Sequence, residues 1–323
     1  MKVRTWMILG GVLVGLGLIL SLLENRSVPG AGDNLLFVAF DRDRALKIEV
    51  SGKDEEGIVL EKSADGWKVP AEGDFPADPD GVEGILDFLA QARTGRKVSE
   101  NPEKRGIFEV DPETGLTVLV SGEGSAVLAS FFIGKTGPDF TSTYVRPEDS
   151  DAVYLMDEPL RRLFVRPSPR QWRDKAIFRL SSVDITHVKW EKEEQPVALE
   201  VDTGGNWTLT EPSSAPAVRS EVEVLRNSLA MLKADDFADD ASEVEAGFDV
   251  PFAMIEFKLR DGTVHTLEIG TENDRSQRHL RRDGKETIFL VNNFRINSLL
   301  KSADDLKAPP PAPDSAPITD PAS

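Results

Sequence analysis

The sequence predicts an α+β fold, with an N-terminal transmembrane helix followed by two tandem repeats, each an antiparallel β-sheet with a packed helix. Three observations predict it: an uncharged apolar run near the N-terminus, segments with strand and helix periodicity, and the recurrence of these segments 140 residues later. The composition is globular, because 40% of the 323 residues are apolar and 29% are charged. That length is sufficient for two ordinary domains.

The charge and the cysteine content exclude several classes of protein. The formal net charge is −18, whereas binding to nucleic acid needs a concentrated basic face. The chain has no cysteine, which rules out disulfides, zinc ribbons and cysteine-ligated iron–sulfur clusters. We therefore expect no cofactor and no nucleic-acid partner.

Residues 1–23 are predicted to form a cytoplasmic tip and a signal-anchor helix. Lys2 and Arg4 precede a run from Trp6 to Leu23 that carries no charge. As a helix this run spans about 27 Å, close to the hydrocarbon core of about 30 Å. Since positive charges stay inside, we expect a single-pass inner-membrane protein with a cytoplasmic N-terminus and a periplasmic main body. A cleaved signal peptide and a buried helix are the alternatives.

Three further features outside the repeats have simple interpretations. Gly11 and Gly15 form a G-x-x-x-G pair that predicts a helix–helix contact in the membrane, although glycine is common in such helices anyway. Residues 24–35 are polar and rich in Gly, as expected of a stalk. Residues 308–323 are rich in Pro and Ala without periodicity, which predicts a disordered tail.

The first repeat is expected at residues 36–178. It begins with "LKIEV", in which apolar and charged residues alternate as in a half-buried strand, and continues with "GIVLEK" and "GWKV" as a meander. A helix should follow, with Asp78 as its N-cap, Pro79 at its first position and Gly95 at its end. The predicted apolar face of this helix consists of Val82, Ile85, Leu86 and Leu89.

The second repeat, expected at residues 179–307, has the same order of elements. Val188 follows Ile48, and Trp207 follows Trp67, by 140 residues. The second helix should open with Ser220 and Glu223 in capping-box spacing, and its apolar face keeps the spacing at Val222, Leu225 and Leu229. The register is thus expected to hold through strands and helix without an insertion. We expect both tryptophans to lie in the cores.

The match continues beyond the helices with small gaps. "GIFEVDP" beginning at Gly106 corresponds to "GFDVP" beginning at Gly247, "FFIG" to "LEIG", "YVR" to "HLR", and "VYLM" to "IFLV". The segment "AMIEFKLRDGTVHTLEIG" is expected to form a hairpin. A two-residue turn in it would pair Phe257 with Thr266, so that the apolar residues of the two strands would lie on opposite faces of the sheet. A three-residue connection with Gly262 left-handed pairs Phe257 with His265, so a bulged hairpin is predicted.

This ordered series of motifs, together with the junction "WRDKAIFRLSSVDITHVKW", resembles the bacterial family catalogued as domain of unknown function 4340. The resemblance covers residues 36–307 and the anchor helix. It implies an envelope protein, often encoded beside ABC transporters. It brings no functional residues, because none is established for the family. The sequence departs from the family's usual Gly-Leu-Asp-x-Pro connector at Phe108 and Phe248.

Motifs of catalysis are weak throughout the sequence. "GKT" at residues 134–136 lacks the earlier glycine of a phosphate-binding loop, and its surroundings indicate a strand. The three histidines, His187, His265 and His279, have no metal-ligand spacing, and no G-x-S-x-G elbow occurs. The acidic run "KADDFADDASEVE" lacks the spacing of a calcium loop, and Asp74, Asp78 and Asp80 are assigned to capping.

One basic segment stands out in an otherwise acidic body. Arg275, Arg278, Arg281 and Arg282 in "DRSQRHLRRDG" are a candidate partner-binding patch for an acidic surface or glycan, or else a solubilised strand face. The leading functional hypothesis is a non-enzymatic membrane-anchored protein that binds or scaffolds an ABC-transporter-type complex of the inner membrane. The alternatives are a tethered polysaccharide- or solute-binding module and a carboxylate-dependent envelope hydrolase.

Overall fold

The computed structural model describes residues 35–37, 40–53, 55–192 and 194–309. The predicted transmembrane helix with Gly11 and Gly15, most of the stalk and most of the tail lie outside these residues. Within the described ranges, no helix has the length and apolarity needed to cross a membrane. The described residues form two compact units, whose boundary falls between Asp174 and Lys175.

The first unit is built on a nine-stranded antiparallel sheet with the order β4-β3-β2-β1-β6-β7-β8-β9-β5. β1 and β6 are therefore adjacent in the middle of the sheet. The residues between them form β2, β3 and β4 on one flank and the edge strand β5 on the other, whereas β7, β8 and β9 follow β6. The strands are β1 (Lys47–Gly52), β2 (Glu55–Ser63), β3 (Gly66–Val69), β4 (Phe75–Pro76), β5 (Arg96–Ser99), β6 (Leu116–Ser121), β7 (Val127–Thr136), β8 (Thr143–Pro147) and β9 (Val153–Met156).

The second unit repeats this topology, with the order β13-β12-β11-β10-β15-β16-β17-β18-β14. Its strands are β10 (Ile185–Lys192), β11 (Gln195–Val201), β12 (Trp207–Glu211), β13 (Ala215–Pro216), β14 (Asp236–Phe237), β15 (Ala253–Leu259), β16 (Val264–Glu272), β17 (Gln277–Arg282) and β18 (Phe289–Asn292). Two antiparallel sheets with helices confirm the predicted α+β repeats.

Each unit contains one long helix that links the two edges of its sheet. The helices are α1 (Pro79–Gln91), α2 (Arg105–Phe108), α3 (Arg161–Phe164), α4 (Arg219–Ala230), α5 (Glu243–Ala246), α6 (Asn293–Leu299) and α7 (Ala303–Leu306). The predicted apolar faces of α1 and α4 are buried, as expected. Trp207 is also buried, whereas Trp67 is half-buried and packs against the first core.

The ends of α1 differ from the prediction. Asp78 occupies the N-cap position, but its carboxylate does not cap the helix. It accepts a hydrogen bond from Arg166 at 2.9 Å instead. The helix ends at Gln91, not at Gly95. Gly95 has another role, because a Cβ there would lie 2.1 Å from the carbonyl oxygen of Leu155 in β9.

The capping box predicted for α4 is also wrong. The helix begins at Arg219 with Val218 as N-cap, so Ser220 lies inside the first turn and makes no cap. The N–H of Val218 donates to the carbonyl oxygen of Leu306 at 2.8 Å, so a tertiary hydrogen bond fixes where α4 begins. Capping boxes occur instead at α5 and α7, where Ser242 and Ser302 are the N-caps.

The spacing of 140 residues between equivalent positions of the two units is interrupted once. Ile48 pairs with Leu60, whereas its counterpart Val188 pairs with Leu199, one position short of that spacing. The spacing returns at Trp67 and Trp207 because the turn after β11 is longer. The expectation of an unbroken register is therefore wrong in this one strand.

The connector before β6 aligns differently from the sequence match. Gly106 lies inside α2, whereas Gly247 follows α5 in a left-handed conformation with φ 76°. The structural counterpart of Gly247 is Glu109, which follows α2 with φ 57°. The alignment of Gly106 with Gly247 is therefore wrong, because the left-handed turn and not the glycine is common to both units.

The bulged hairpin between β15 and β16 is confirmed. Phe257 pairs with His265, and the N–H of Leu259 donates to the carbonyl oxygen of Thr263 at 2.8 Å. Gly262 has φ 91°, the conformation that the bulge requires. The apolar face therefore stays continuous across the turn.

Candidate functional site

The four arginines of the basic segment do not form one surface. Arg275 lies in the turn between β16 and β17, and the other three lie in β17. Since side chains alternate along a strand, Arg278 and Arg282 share one face and Arg281 belongs to the other. The partner-binding role predicted for this set stays a prediction.

Each of the three arginines in β17 has contacts within the second unit. Arg278 donates to the carbonyl oxygen of Gly270 and to the side chain of Asn293, both at 2.9 Å. Arg281 forms ion pairs of 2.6 Å with Glu243 and Glu268. Arg282 donates to the carbonyl oxygen of Ile177. These contacts tie β17 to its surroundings.

The GKT segment and His265 both lie in strands of a sheet. Gly134, Lys135 and Thr136 lie in β7, in agreement with the expected strand. The imidazole of His265 lies beside the ring of Phe257, with Nδ1 3.1 Å from the carboxylate of Asp283. Among the described residues, no group of three or more His, Cys, Asp or Glu side chains is placed to hold a metal ion.

The turn between β7 and β8 is held by backbone hydrogen bonds and by the carboxylate of Asp139. The N–H of Gly137 donates to the carbonyl oxygen of Ser142 at 2.9 Å, and the N–H of Phe140 to that of Gly137 at 3.1 Å. The carboxylate of Asp139 accepts three more, from the hydroxyl and N–H of Ser142 at 2.6 and 2.8 Å and from the N–H of Thr141 at 3.0 Å. These bonds fix the turn.

Those hydrogen bonds also set the acidity of Asp139. The bond from the Ser142 hydroxyl, followed by the backbone bonds, lowers the pKa of Asp139 to about 2. The carboxylate therefore stays ionised at any pH of physiological interest.

The pH dependence of this turn can be measured directly. Because the folded pKa is depressed, we expect the turn to be fully stabilised above the ordinary Asp pKa of about 3.9 and to lose this contribution as the pH falls toward 2. An NMR titration of the Asp139 carboxyl carbon should give a midpoint near 2. Ser142→Ala should move the midpoint upward. An ordinary midpoint in the unsubstituted protein would contradict the hydrogen-bonded turn.

Phe140, at the tip of this turn, combines two unfavourable features. Its backbone is left-handed with φ 63°, and its side chain is 86% exposed. The left-handed region is costly for a bulky residue, and exposing the ring forgoes burial. In the equivalent turn of the second unit, Ser276 has φ 56°, and its backbone N–H donates to the carbonyl oxygen of Asn273 at 3.1 Å. The turn therefore forms without an aromatic residue at this position.

A groove of about 580 Å³ begins where β7 leads into this turn. It is lined by the β1–β2 connection, the connector between α2 and β6, the end of β7 and the start of α3. Its charged side chains are Lys53, Glu109, Glu113, Lys135 and Arg161. The volume is within the range of small-molecule sites.

The connector that forms one wall of the groove is held by Asp111. Its carboxylate accepts hydrogen bonds from the N–H and the hydroxyl of Thr114, both at 2.8 Å, and from the N–H of Glu113 at 3.0 Å. Burial raises the pKa of Asp111, but these hydrogen bonds and the charge of Arg146 outweigh burial, so that the net shift is downward. The connector is thus wound around an ionised carboxylate.

Two glycines bring the backbone of this wall into close contact. A Cβ on Gly115 would lie 2.8 Å from the carbonyl oxygen of Glu109, and one on Gly134 would lie 2.1 Å from that of Phe108. Side chains at these positions would displace the connector from β7.

Arg146 fixes the connector from the other side. It is 2% exposed, and its Nε donates to the carbonyl oxygen of Val110 at 2.8 Å. Its Nη1 donates to Ser150 at 2.9 Å and to Pro147 at 3.1 Å, again at carbonyl oxygens. The guanidinium lies 4.4 Å from the ring centroid of Phe132. Burial lowers the pKa of Arg146, but a guanidinium remains protonated in proteins.

The second unit has a different residue at the position of Gly115. Leu116 pairs with Ile133 as Ala253 pairs with Ile269, so the preceding residue, Phe252, corresponds to Gly115. The Arg278 guanidinium lies 3.6 Å, and the Lys192 ammonium 5.3 Å, from the ring centroid of Phe252. Basic side chains here cover an aromatic ring, whereas those of the first unit line an open groove.

Comparison with known proteins adds one decisive observation. The family described as Domain of unknown function (DUF4340) matches residues 67–251 and again residues 207–311. The chain belongs to this family. The two DUF4340 matches begin at Trp67 and Trp207, which are equivalent in β3 and β12, so they reflect the structural repeat. No curated protein and no solved structure matches this DUF4340 protein.

Sequence reasoning missed both Phe140 and the groove. The signal for Phe140 was present in "GPDFTS", because Pro and Asp before an aromatic residue indicate an exposed turn. The groove had no such local signal, since Lys53, Lys135 and Arg161 come from three separate parts of the chain.

Proposed function

We propose that this DUF4340 protein is a non-enzymatic envelope component that is tethered to the inner membrane and binds or scaffolds an ABC-transporter-type complex. The tether is supported by the uncharged run at residues 6–23 behind Lys2 and Arg4. The class of partner is supported by the family resemblance. In this arrangement the N-terminus is cytoplasmic and both units lie in the periplasm.

The observation that carries the binding role is the display of Phe140. The turn exposes an aromatic ring to solvent on a backbone that Asp139 fixes. The equivalent turn of the second unit has Ser276 at this position, so the turn does not need the ring in order to fold. Protein interfaces concentrate their affinity in a few aromatic and arginine side chains, and a side chain carried on a fixed backbone has less freedom to lose on binding. Phe140 therefore has the properties of an interface anchor.

A site-specific photo-crosslinker tests this docking role. Placed at position 140 of the full chain in cells, it should capture subunits of an ABC transporter, identified by mass spectrometry. Placed at Val127, another exposed apolar residue of the same unit with 64% exposure, it should not. Phe140→Ser, which copies the second unit, should reduce co-purification of those subunits. Equal capture at both positions, or capture of no transporter subunit, would refute docking through Phe140.

The contribution of the anchor is tested separately by exchanging residues 6–23 for an unrelated membrane helix. Loss of transporter subunits after the exchange would place the contact in the membrane helix, where Gly11 and Gly15 are predicted to allow close approach. Retention would place it in the two units. The result thus decides which part of the chain carries the proposed association.

A second candidate function is a tethered polysaccharide- or solute-binding module, and the open polar groove of the first unit favours it. The hydrolase alternative has one point in its favour, because the carboxylates of Glu109 and Glu113 line the same groove.

A further inference from the structure

We infer that the groove of the first unit binds an acidic carbohydrate, with Lys53, Lys135 and Arg161 facing the carboxylates of uronic acid residues. Glu109 and Glu113 would accept hydrogen bonds from sugar hydroxyls. The inference does not depend on docking through Phe140. It gives the second candidate function a site and a class of ligand.

The two lysines of this groove are available to a ligand. Within the described part of the chain, neither Lys53 nor Lys135 forms an ion pair, and both side chains are exposed. By contrast, Lys192 in the second unit lies over the ring of Phe252. Lysines without an internal partner lose no protein contact when they bind an anion.

The mixture of charges favours a carbohydrate over a phosphate compound. Glu109 and Glu113 would repel the doubly charged terminal phosphate of a nucleotide, and a polyphosphate has no hydroxyl that could donate a hydrogen bond to them. A uronic acid residue carries one negative charge and several hydroxyls, so the carboxylates of Glu109 and Glu113 can accept hydrogen bonds from those hydroxyls. The hydroxyls of Thr114 and Thr136 add groups that both donate and accept.

The second unit shows that the fold does not require these residues. Gly134 and Gly270 are equivalent, so Thr271 and Glu272 stand at the positions of Lys135 and Thr136. Phe252 replaces Gly115. A duplicated unit thus forms the same sheet with neither the basic residue nor the glycine. The open groove with Lys135 in its wall is thus specific to the first unit and is not needed for the fold.

Titration of the full chain in detergent with oligogalacturonate tests the inference. We expect saturable binding that weakens with salt, and no binding of a neutral galactan of the same length. Lys135→Thr, the residue of the second unit, should weaken binding by about tenfold, since loss of one favourable charge pair in a groove costs on the order of 1.4 kcal/mol. Lys258→Thr, which removes an exposed lysine from β15, is the control and should bind normally.

Several outcomes would overturn the inference. Absence of binding, or equal binding of the neutral galactan, would refute a site for acidic sugars. Full competition by inorganic phosphate at the concentration of the oligosaccharide would show a general anion site. Release of shorter oligosaccharides would show hydrolysis instead of binding alone. Phe140→Ser should retain the sugar affinity, so that failure of protein docking and failure of sugar binding are distinguished.

Discussion

Replacing Arg146 with alanine is expected to destabilise the first unit by about 3 kcal/mol, because a buried charged hydrogen-bond donor is removed from several carbonyl oxygens at once. The carbonyl oxygens of Val110, Pro147 and Ser150 would be left without this donor. A cavity beside the ring of Phe132 would add to the cost. Urea unfolding of the full chain, followed by hydrogen exchange of peptides from the first unit, gives the change in free energy.

The lysine variant separates charge from geometry. Arg146→Lys retains a cation, but it lacks the planar fork that reaches both Val110 and Ser150, so it should recover only part of the loss. In both variants the exchange rate should rise most in residues 109–115, which form the connector. Uniform acceleration across the first unit, or no change in the alanine variant, would contradict the anchoring role of Arg146.

Replacing Leu225 with alanine is expected to destabilise the second unit by about 3 kcal/mol. Leu225 lies on the buried face of α4 and is 0% exposed, so truncation leaves a cavity beneath the helix. The loss should appear in unfolding of the second unit, measured by hydrogen exchange of peptides from β10 and β15.

Val224 provides a matched control on the same helix. It is adjacent in sequence to Leu225 but is 53% exposed, and alanine has the higher helix propensity. Val224→Ala should therefore change the free energy of unfolding by no more than about 0.5 kcal/mol in either direction. Similar losses for the two variants would mean that α4 does not pack by the face described.

The parts of the fold that were predicted from the sequence depend on periodicity. Alternation around Ile48 and the helical spacing from Val82 to Leu89 reflect burial of one face, which a local pattern records directly. The bulge at Gly262 followed from the same logic, because only one pairing keeps Phe257 and its neighbours on a common face.

The features that sequence reasoning missed depend on tertiary contacts. The start of α4 is set by the bond from Val218 to Leu306, which no local capping pattern contains. Gly95 is required by the approach of β9. The groove likewise needs the alignment of Gly115 with Phe252, which is evident only when the pairing of the strands is known.

The central position of β1 has a consequence for how the chain assembles. β1 pairs on one side with β2, which follows it directly in the chain. Its other edge pairs with β6, so this edge stays open during synthesis until residues 116–121 have emerged and α1 has packed across the sheet. An open edge is a template for wrong pairing, and a second copy of the same unit follows in the chain. The two copies differ in the residues that pair across these strands, and this difference opposes exchange of strands between them. Ile48 pairs with Val120, whereas its counterpart Val188 pairs with the larger Phe257. A Phe257→Val substitution would thus remove one of the differences that keep the duplicated strands with their own partners.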